Sequence, residues 1–516
     1  PELADLSSQL IAQYPAAIAG CHRLSFPNER FSIDLWLGDA HDVFPVMEKT
    51  AQVNAWFLDG FAPSCNPDMW EDKVLSNIVR LSDVGTTFAS FSVAGVLKRG
   101  LKQHGIAISR PRGFGHKREM LKGIWNPAEQ PTVDAAENVV TTATQKKTLN
   151  FSGANQQRHI AIIGAGIAGL TTAWAFARRG HHVQLFDQTA PLSGGSGNPL
   201  ALLNPKLCPI EQSHEHLMTL AWQHALKHYA EFKAFRPIQV HQLALKNAES
   251  LLSLADQYPT ELLSRDHDHG LSTDYPALTL CEAGAVSPQQ LRDEILVHPL
   301  IDYQQAKITQ IKHATQTTLY QDTTRLGHFD HVIVCTARDT GKLFENYPVL
   351  KPIRGQVSWV KNTEYALPMH AAYSYGGYCM QLDREHLILG ASFYPNRDDA
   401  EILQEDHVHN YDLIHSVFPQ YAKKLAHVES WQGRAAVRAQ SQDYFPLLGK
   451  MNPVHEVYSF AGLGSKGFLF APLCAEILVA QILDEACPVP SNLVKKLAAT
   501  LFQKKVKAKK PYFKPQ

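Results

Sequence analysis

Two glycine-rich turns, a pair of spaced arginines and a strand-end acid are the residues whose types and spacing carry chemistry in this chain. Over residues 159–187, HIAIIGAGIAGLTTAWAFARRGHHVQLFD, an apolar strand runs into Gly164, Gly166 and Gly169; a helix follows and a second strand ends in Asp187. Gly164 permits a tight turn, Gly166 leaves room for a pyrophosphate, and Gly169 lets the helix lie close to the sheet. The helix N-terminus offers N–H groups and a positive partial charge to the phosphates. Asp187, about 20 residues further on, is placed to accept from a ribose diol. Such glycine patterns also occur in ordinary loops; the strand before, the helix after and the acid at this separation make dinucleotide binding the better reading. A membrane span over 160–177 is excluded by the clustering of glycines at one end and by Arg178 and Arg179 directly after it.

The run SGGSGN that follows, with Gly195, Ser196, Gly197 and Asn198, offers backbone N–H groups and a hydroxyl for wrapping phosphates, although glycine-serine runs are usually linkers. A second turn, FAGLGSKG, places Gly462, Gly464, Ser465, Lys466 and Gly467 ahead of a long apolar helix. One such loop can be a helix cap; two in one domain point to a two-ended cofactor, FAD rather than NAD. In WQGRAAVRAQ, Arg434 and Arg438 alternate with small residues, as on a strand with one face in a cavity, where a guanidinium can grip a carboxylate in bidentate fashion. Arg354, near the start of PIRGQVSWV, is a second candidate anchor or else a solvated strand charge.

These residues need an α/β framework to position them. A linker over 127–157, rich in Thr, Ala, Gln and Asn, separates a domain at 1–126 from one at 158–490, with a surface helix near 133–140 as the alternative for part of it. In the second domain, a substrate subdomain of mixed α+β character is expected over about 210–325 and 350–435, and HVIVCTAR at 331–338 should rejoin the first sheet. The N-terminal domain alternates strand and helix patterns, and Asp39 and Asp59 both fall at strand carboxyl ends, the ligand edge of an open sheet. Asp39 can equally cap the next helix. Asp59 precedes GFAPSCNPDMW, a stiff proline loop with Phe61 and Trp70 as flat walls.

The 516 residues, 45% hydrophobic and 19% charged, suit a globular protein of two or three domains. Lys plus Arg and Asp plus Glu are both 49, so a nucleic-acid partner must use local patches, such as Lys98, Arg99, Lys102, Arg110, Arg112, Lys117, Arg118 and the basic tail within 491–516. Basic runs of this kind are usually solvated faces. The 8 cysteines are scattered without CxxC or histidine clusters, which favours a reducing cytoplasm and no metal. No secretory segment or membrane span is expected.

The strand-end Asp59 with its proline loop resembles the amine-methylating pocket of class I S-adenosylmethionine-dependent methyltransferases. That resemblance implies a Rossmann-like domain in which Asp59 orients an amine and Asp39 serves the adenosine side. The glycine loop for the methionine end is not found ahead of Phe31, so the domain is read as partial and truncated before Pro1. Residues 158–485 resemble the D-amino-acid oxidase and glycine oxidase family of FAD enzymes through GAGIAG, Asp187, GGSGN, the RGQ at 354–356, the return from Arg438 to Gly449 and GLGSKG. Together with LDGFAPSCNPDMW and GFGHKREML, these motifs resemble the bifunctional tRNA 5-methylaminomethyl-2-thiouridine biosynthesis family.

That family resemblance implies oxidative removal of a carboxymethyl group from a wobble-uridine amine, followed by methylation of the primary amine. Arg438 is then the carboxylate anchor, Arg354 the second choice, and Lys466 a cation at the flavin edge. The alternatives are a small-molecule amine oxidase with a non-catalytic N-terminal domain and a tRNA-binding protein without catalysis. Oligomeric state is left open by the sequence, a monomer being compatible with it.

Overall fold

In a computed structural model of the protein, the residues described are 3–48, 53–59, 65–116, 118–126, 157–266, 270–313, 316–344 and 346–500. The expected linker from 127 on, Phe61, Lys117 and the tail from 501 lie outside the described residues. The chain divides into two compact units, one of Pro1–Leu37, Gln157–Val479 and Asn492–Gln516, the other of Gly38–Gln156 and Ala480–Ser491.

In the larger unit the strand His159–Ile163 lies at the centre of a six-stranded sheet, between His182–Asp187 and His331–Val334. Ile301–Gln305 forms one edge, and Val457–Ala461 followed by the antiparallel Leu447–Lys450 form the other. Strands buried on both faces read as continuous apolar runs, and IAII and HVIV are such runs. The return of His331–Val334 to this sheet agrees with the sequence. The three-stranded sheet spanning Gln310–His313, Thr317–Gln321 and Thr324–Phe329 also belongs here rather than to a substrate subdomain. Its Leu319 and Phe329 share a core with Phe186 and Val332 of the cofactor-side sheet.

A ten-stranded sheet forms the second layer. Toward one end of it Lys351–Lys361 pairs with Gln432–Gln440, antiparallel, with Ile353 opposite Arg438 and Arg354 opposite Val437. Gln404–Val417 is the helix that covers one face of Lys351–Lys361, joined to it by a polar network described below.

The helical stretch Gly464–Leu483, whose α-helix is Gly467–Leu483, is long and apolar enough to cross a membrane by composition, with mean hydropathy 1.6 over its window, yet 78% of that window is buried in the protein. Its Glu476 is clamped by Arg179 at 2.7 Å and Arg23 at 3.2 Å. Burial alone would raise the carboxyl pKa; the two guanidiniums hold it well below the ordinary range.

Arg23 explains a departure from the sequence reading. Phe31–Leu37, expected in the N-terminal sheet with Asp39 at its end, pairs among the described residues with Gly20–Phe26 in a separate hairpin. Arg23 is opposite Asp34 and bonds both its oxygens, at 2.7 and 2.6 Å, while its remaining donor reaches Glu476. The hairpin is thereby held to the larger unit. A second difference is at the C-terminus: Ser491–Leu497, assigned to the basic tail, is a helix that buries Leu493 and Leu497.

The smaller unit has a four-stranded sheet ordered Val53–Phe57, Ser82–Ser90, Leu121–Trp125, Ile106–Ser109, the first pair parallel and the others antiparallel. The helices Asp72–Leu81 and Gly95–Gln103 cover it, burying Val74, Leu75, Ile78, Leu97 and Leu101 with Trp70 and Phe88.

Candidate functional site

Each fingerprint glycine has a distinct reason in the main chain. Gly164 has φ +109, and a methyl group there would meet the Cys335 carbonyl at 2.5 Å. At Gly169 it would sit 1.8 Å from the Gly164 carbonyl, so the helix Ile167–Ala177 rests directly on the turn. Gly166 is different: its nearest neighbour would be Ser196 Oγ at an ordinary 3.5 Å, which leaves the space above the turn open to a ligand. Asp187 locks the turn from behind. Its Oδ2 accepts from Ala165 N at 2.7 Å and its Oδ1 from Thr189 N at 2.9 Å.

The SGGSGN loop folds back over this turn, with Ser196 Oγ accepting from Ile167 N at 3.1 Å. Gly197 is required because a side chain would strike the Leu192 carbonyl at 2.0 Å. Arg434 holds the loop from the neighbouring sheet, donating to the Ser193 and Gly194 carbonyls at 2.8 and 2.6 Å and to Asn198 Oδ1 at 3.2 Å. Sequence reasoning placed Arg434 on the right strand but did not identify this role, because its partners lie some 240 residues earlier.

The second glycine loop reaches the same place. Gly462 and Gly464 have φ +77 and +55, and Gly464 packs against the Gln440 amide so closely that a methyl group would lie 1.9 Å from Oε1. A cavity of about 440 Å³ is lined by Gly166, Gly195, Ser196 and Asn198 from one loop system, and by Gly462, Gly464, Ser465, Lys466 and Gly467 from the other. Gly164, Gly169, Asp187 and Gly197 lie behind this lining and shape it. The open space over Gly166, the two glycine turns and the two adjacent helix N-termini fit a flavin dinucleotide.

Arg438 also lines the cavity and has no hydrogen-bond or ion-pair partner among the described residues. Its guanidinium lies over Gly355, where a methyl group would be 2.5 Å from Nη2. Burial lowers its pKa and the nearby Tyr378 hydroxyl opposes that; the Tyr378 hydroxyl is itself pushed up to about 12 by burial. An uncompensated guanidinium in a cavity is costly and is an anion site by its chemistry. Lys466 Nζ donates to the Asn204 carbonyl at 2.6 Å, and burial lowers its pKa to about 8.

Arg354 does not join this group. It is 0% exposed and absent from the cavity lining. Nε donates to Asp399 at 2.7 Å, Nη1 to Asp406 at 2.6 Å, and Nη2 to the Glu401 carbonyl. Neither the anchor reading nor the solvated-charge reading describes it: strand alternation turns it, with Gln356 and Ser358, toward the helix Gln404–Val417, where Ser358 Oγ pairs with His407 Nδ1 at 2.8 Å.

Comparison with known proteins places these features in a family. Residues 1–126 match the model for S-adenosyl-L-methionine-dependent methyltransferases, and 159–481 that for FAD dependent oxidoreductases. The chain is 60% identical, over 99% of its length and 81% of the relative's, to the tRNA 5-methylaminomethyl-2-thiouridine biosynthesis bifunctional protein MnmC of Acinetobacter baylyi. The chain belongs to the MnmC family. It is 33% identical to the MnmC of Psychrobacter cryohalolentis over 96% of this chain and 77% of that one. Among solved structures, glycine oxidase from Bacillus cereus (TM-score 0.53, 18% identity, 64% of this chain and 98% of that one) shares the oxidoreductase fold. So does iminodiacetate oxidase from Chelativorans sp. BNC1 (TM-score 0.54, 15% identity, 66% and 98%). The chain is thus a two-part enzyme of this family, with an FAD-dependent oxidoreductase domain and an S-adenosylmethionine-dependent methyltransferase domain.

In the methyltransferase part, Asp59 is exposed just beyond Val53–Phe57, and most of the proline loop lies outside the described residues. Asp39 is the N-cap of Ala40–Val46, its Oδ1 accepting from His41 N at 2.8 Å and facing His41 Nδ1 at 3.1 Å. Those contacts, the backbone one first, lower its pKa. The capping alternative describes this residue in the structure. Among the described residues no cluster of His, Cys, Asp or Glu could hold a metal ion.

Proposed function

We propose that this protein oxidises the carboxymethylaminomethyl arm of a tRNA wobble uridine to aminomethyl, with release of glyoxylate, and then methylates the amine. The observation that carries the oxidative half is the Arg438 guanidinium, without a hydrogen-bond or ion-pair partner among the described residues, in the cavity that both glycine loops line. The arm is a glycine joined through nitrogen, so its carboxylate and its oxidisable carbon are adjacent. Arg438 binds that carboxylate and thereby fixes the methylene between carboxylate and nitrogen.

FAD, which the two glycine loops lining the cavity would hold, would supply the two-electron oxidation, a hydride leaving that methylene as the amine nitrogen releases its proton, with dioxygen as the final acceptor, reduced to hydrogen peroxide. Water adds to the resulting carbon–nitrogen double bond, and the C–N bond breaks to give the primary amine and glyoxylate. Lys466, held by the Asn204 carbonyl, supplies a cation at the cavity edge. In the second half Asp59 would orient the amine and take up its proton as the nitrogen displaces S-adenosylhomocysteine from the methyl group of S-adenosylmethionine. We assign Asp39 to the adenosine side through its Oδ2, since its Oδ1 caps a helix. The reaction belongs in the cytoplasm, where its RNA substrate is found.

The test is Arg438→Ala. It should retain the yellow flavin while kcat/KM for tRNA oxidation falls about 100-fold, the loss of a charge-assisted bidentate contact. Unchanged kinetics would remove Arg438 from the mechanism.

A further inference from the structure

We infer that Phe393 is the stacking wall of this site: its ring receives the face of the pyrimidine whose arm enters the cavity. The inference rests on the tRNA reading above. Phe393 is 49% exposed and also lines the cavity. Among the described residues it is the one large exposed apolar side chain that does so.

The ring is presented by a pinned backbone. Ser392, fully buried, donates its N–H to the Gln356 carbonyl at 3.2 Å and accepts from Gln356 N on Oγ at 2.9 Å. On the other side Tyr394 pairs in register with Arg354. Phe393 therefore projects from a fixed point between two anchored neighbours, and little ordering entropy remains to be lost when a ligand packs on it.

Its place in the same cavity as the anchor suits the substrate arm. A methyl group at Gly355 would meet Arg438 Nη2 at 2.5 Å and the Ser392 carbonyl at 2.6 Å, so the guanidinium and the residue preceding Phe393 border the same small volume. From carboxylate carbon to uracil ring the arm has four bonds, roughly 5 Å extended, little more than the 3.8 Å between consecutive Cα atoms. A carboxylate on Arg438 therefore delivers the ring to the neighbourhood of Phe393. Phenylalanine has no donor or acceptor, so it reads a flat π-face and no hydrogen-bonding edge; it selects a base-linked amine over a free amino acid.

The experiment compares Phe393→Ala, Phe393→Leu and Phe393→Trp as flavin-loaded full chains. It measures tRNA oxidation, and it measures glycolate binding through perturbation of the flavin absorbance. Phe393→Ala should lower kcat/KM for tRNA about tenfold, mainly through KM, as expected for one lost stacking contact. Phe393→Trp should restore it, Phe393→Leu should not, and glycolate binding should stay at the wild-type value in all three. Wild-type kinetics in Phe393→Ala, full rescue by leucine, or a parallel loss of glycolate binding would each overturn the assignment. A wild-type protein that fails to oxidise tRNA would instead overturn the underlying reading, and this one with it.

Discussion

Arg438 and Gly355 occupy one space: a methyl group at Gly355 would lie 2.5 Å from the Arg438 guanidinium and 2.6 Å from the Ser392 carbonyl. The glycine of the RGQ motif is thus the seat of the proposed carboxylate anchor. Gly355→Ala should displace the guanidinium, costing about 1–3 kcal/mol of stability as an overpacking change. It should also raise KM for the carboxylated substrate while leaving flavin content intact. Steady-state kinetics beside denaturant unfolding check both parts.

Arg354 separates stability from catalysis. Arg354→Met leaves Asp406, itself buried, without its cation. The expected loss is about 3–5 kcal/mol, the usual result of breaking a buried pair from one side. In folded, flavin-loaded protein glycolate affinity should stay within a few-fold of wild type. Urea midpoints and flavin-perturbation titration give the two numbers.

The contrast between these arginines shows where the sequence was legible. The fingerprint was readable because its glycines answer to local main-chain geometry, and the register of its strand and helix is fixed by the same few residues. Arg354 and Arg438 are both strand arginines beside small residues, and a one-residue difference in pairing decides which face each takes. That pairing, Ile353 with Arg438 and Arg354 with Val437, joins segments about 85 residues apart and leaves no local trace. The pairing of Phe31–Leu37 with Gly20–Phe26, outside the expected sheet, leaves no local trace for a similar reason, since the Glu476 that holds Arg23 lies 453 residues away.

Arg434 is the clasp of the phosphate-side loop. Arg434→Ala removes three hydrogen bonds to Ser193, Gly194 and Asn198. At about 1 kcal/mol net for each bond, FAD affinity should fall by at least tenfold. Activity should return at saturating FAD, which places the defect in binding; a defect that FAD does not relieve would contradict the assignment.

Lys466 gives a pH signature. Burial lowers its pKa from the ordinary 10.5 to about 8, so between these values the folded protein binds fewer protons than the unfolded chain. The penalty for burying the charged ammonium is complete below about 8 and gone above 10.5, so this lysine makes the flavin-free protein more stable as pH rises across that window. Lys466→Met should lack that contribution. Urea midpoints compared on either side of the window measure it, and identical pH slopes in the two proteins would contradict it.

The central claim is that the carboxylate held by Arg438 belongs to an amine on tRNA. Flavin-loaded protein should be incubated, without S-adenosylmethionine, with tRNA carrying the carboxymethylaminomethyl arm and, separately, with glycine and with N-methylglycine, while glyoxylate is measured. The account predicts glyoxylate from the tRNA in step with the appearance of aminomethyluridine, and little from the free amino acids. Equal or faster glyoxylate release from free glycine would contradict it.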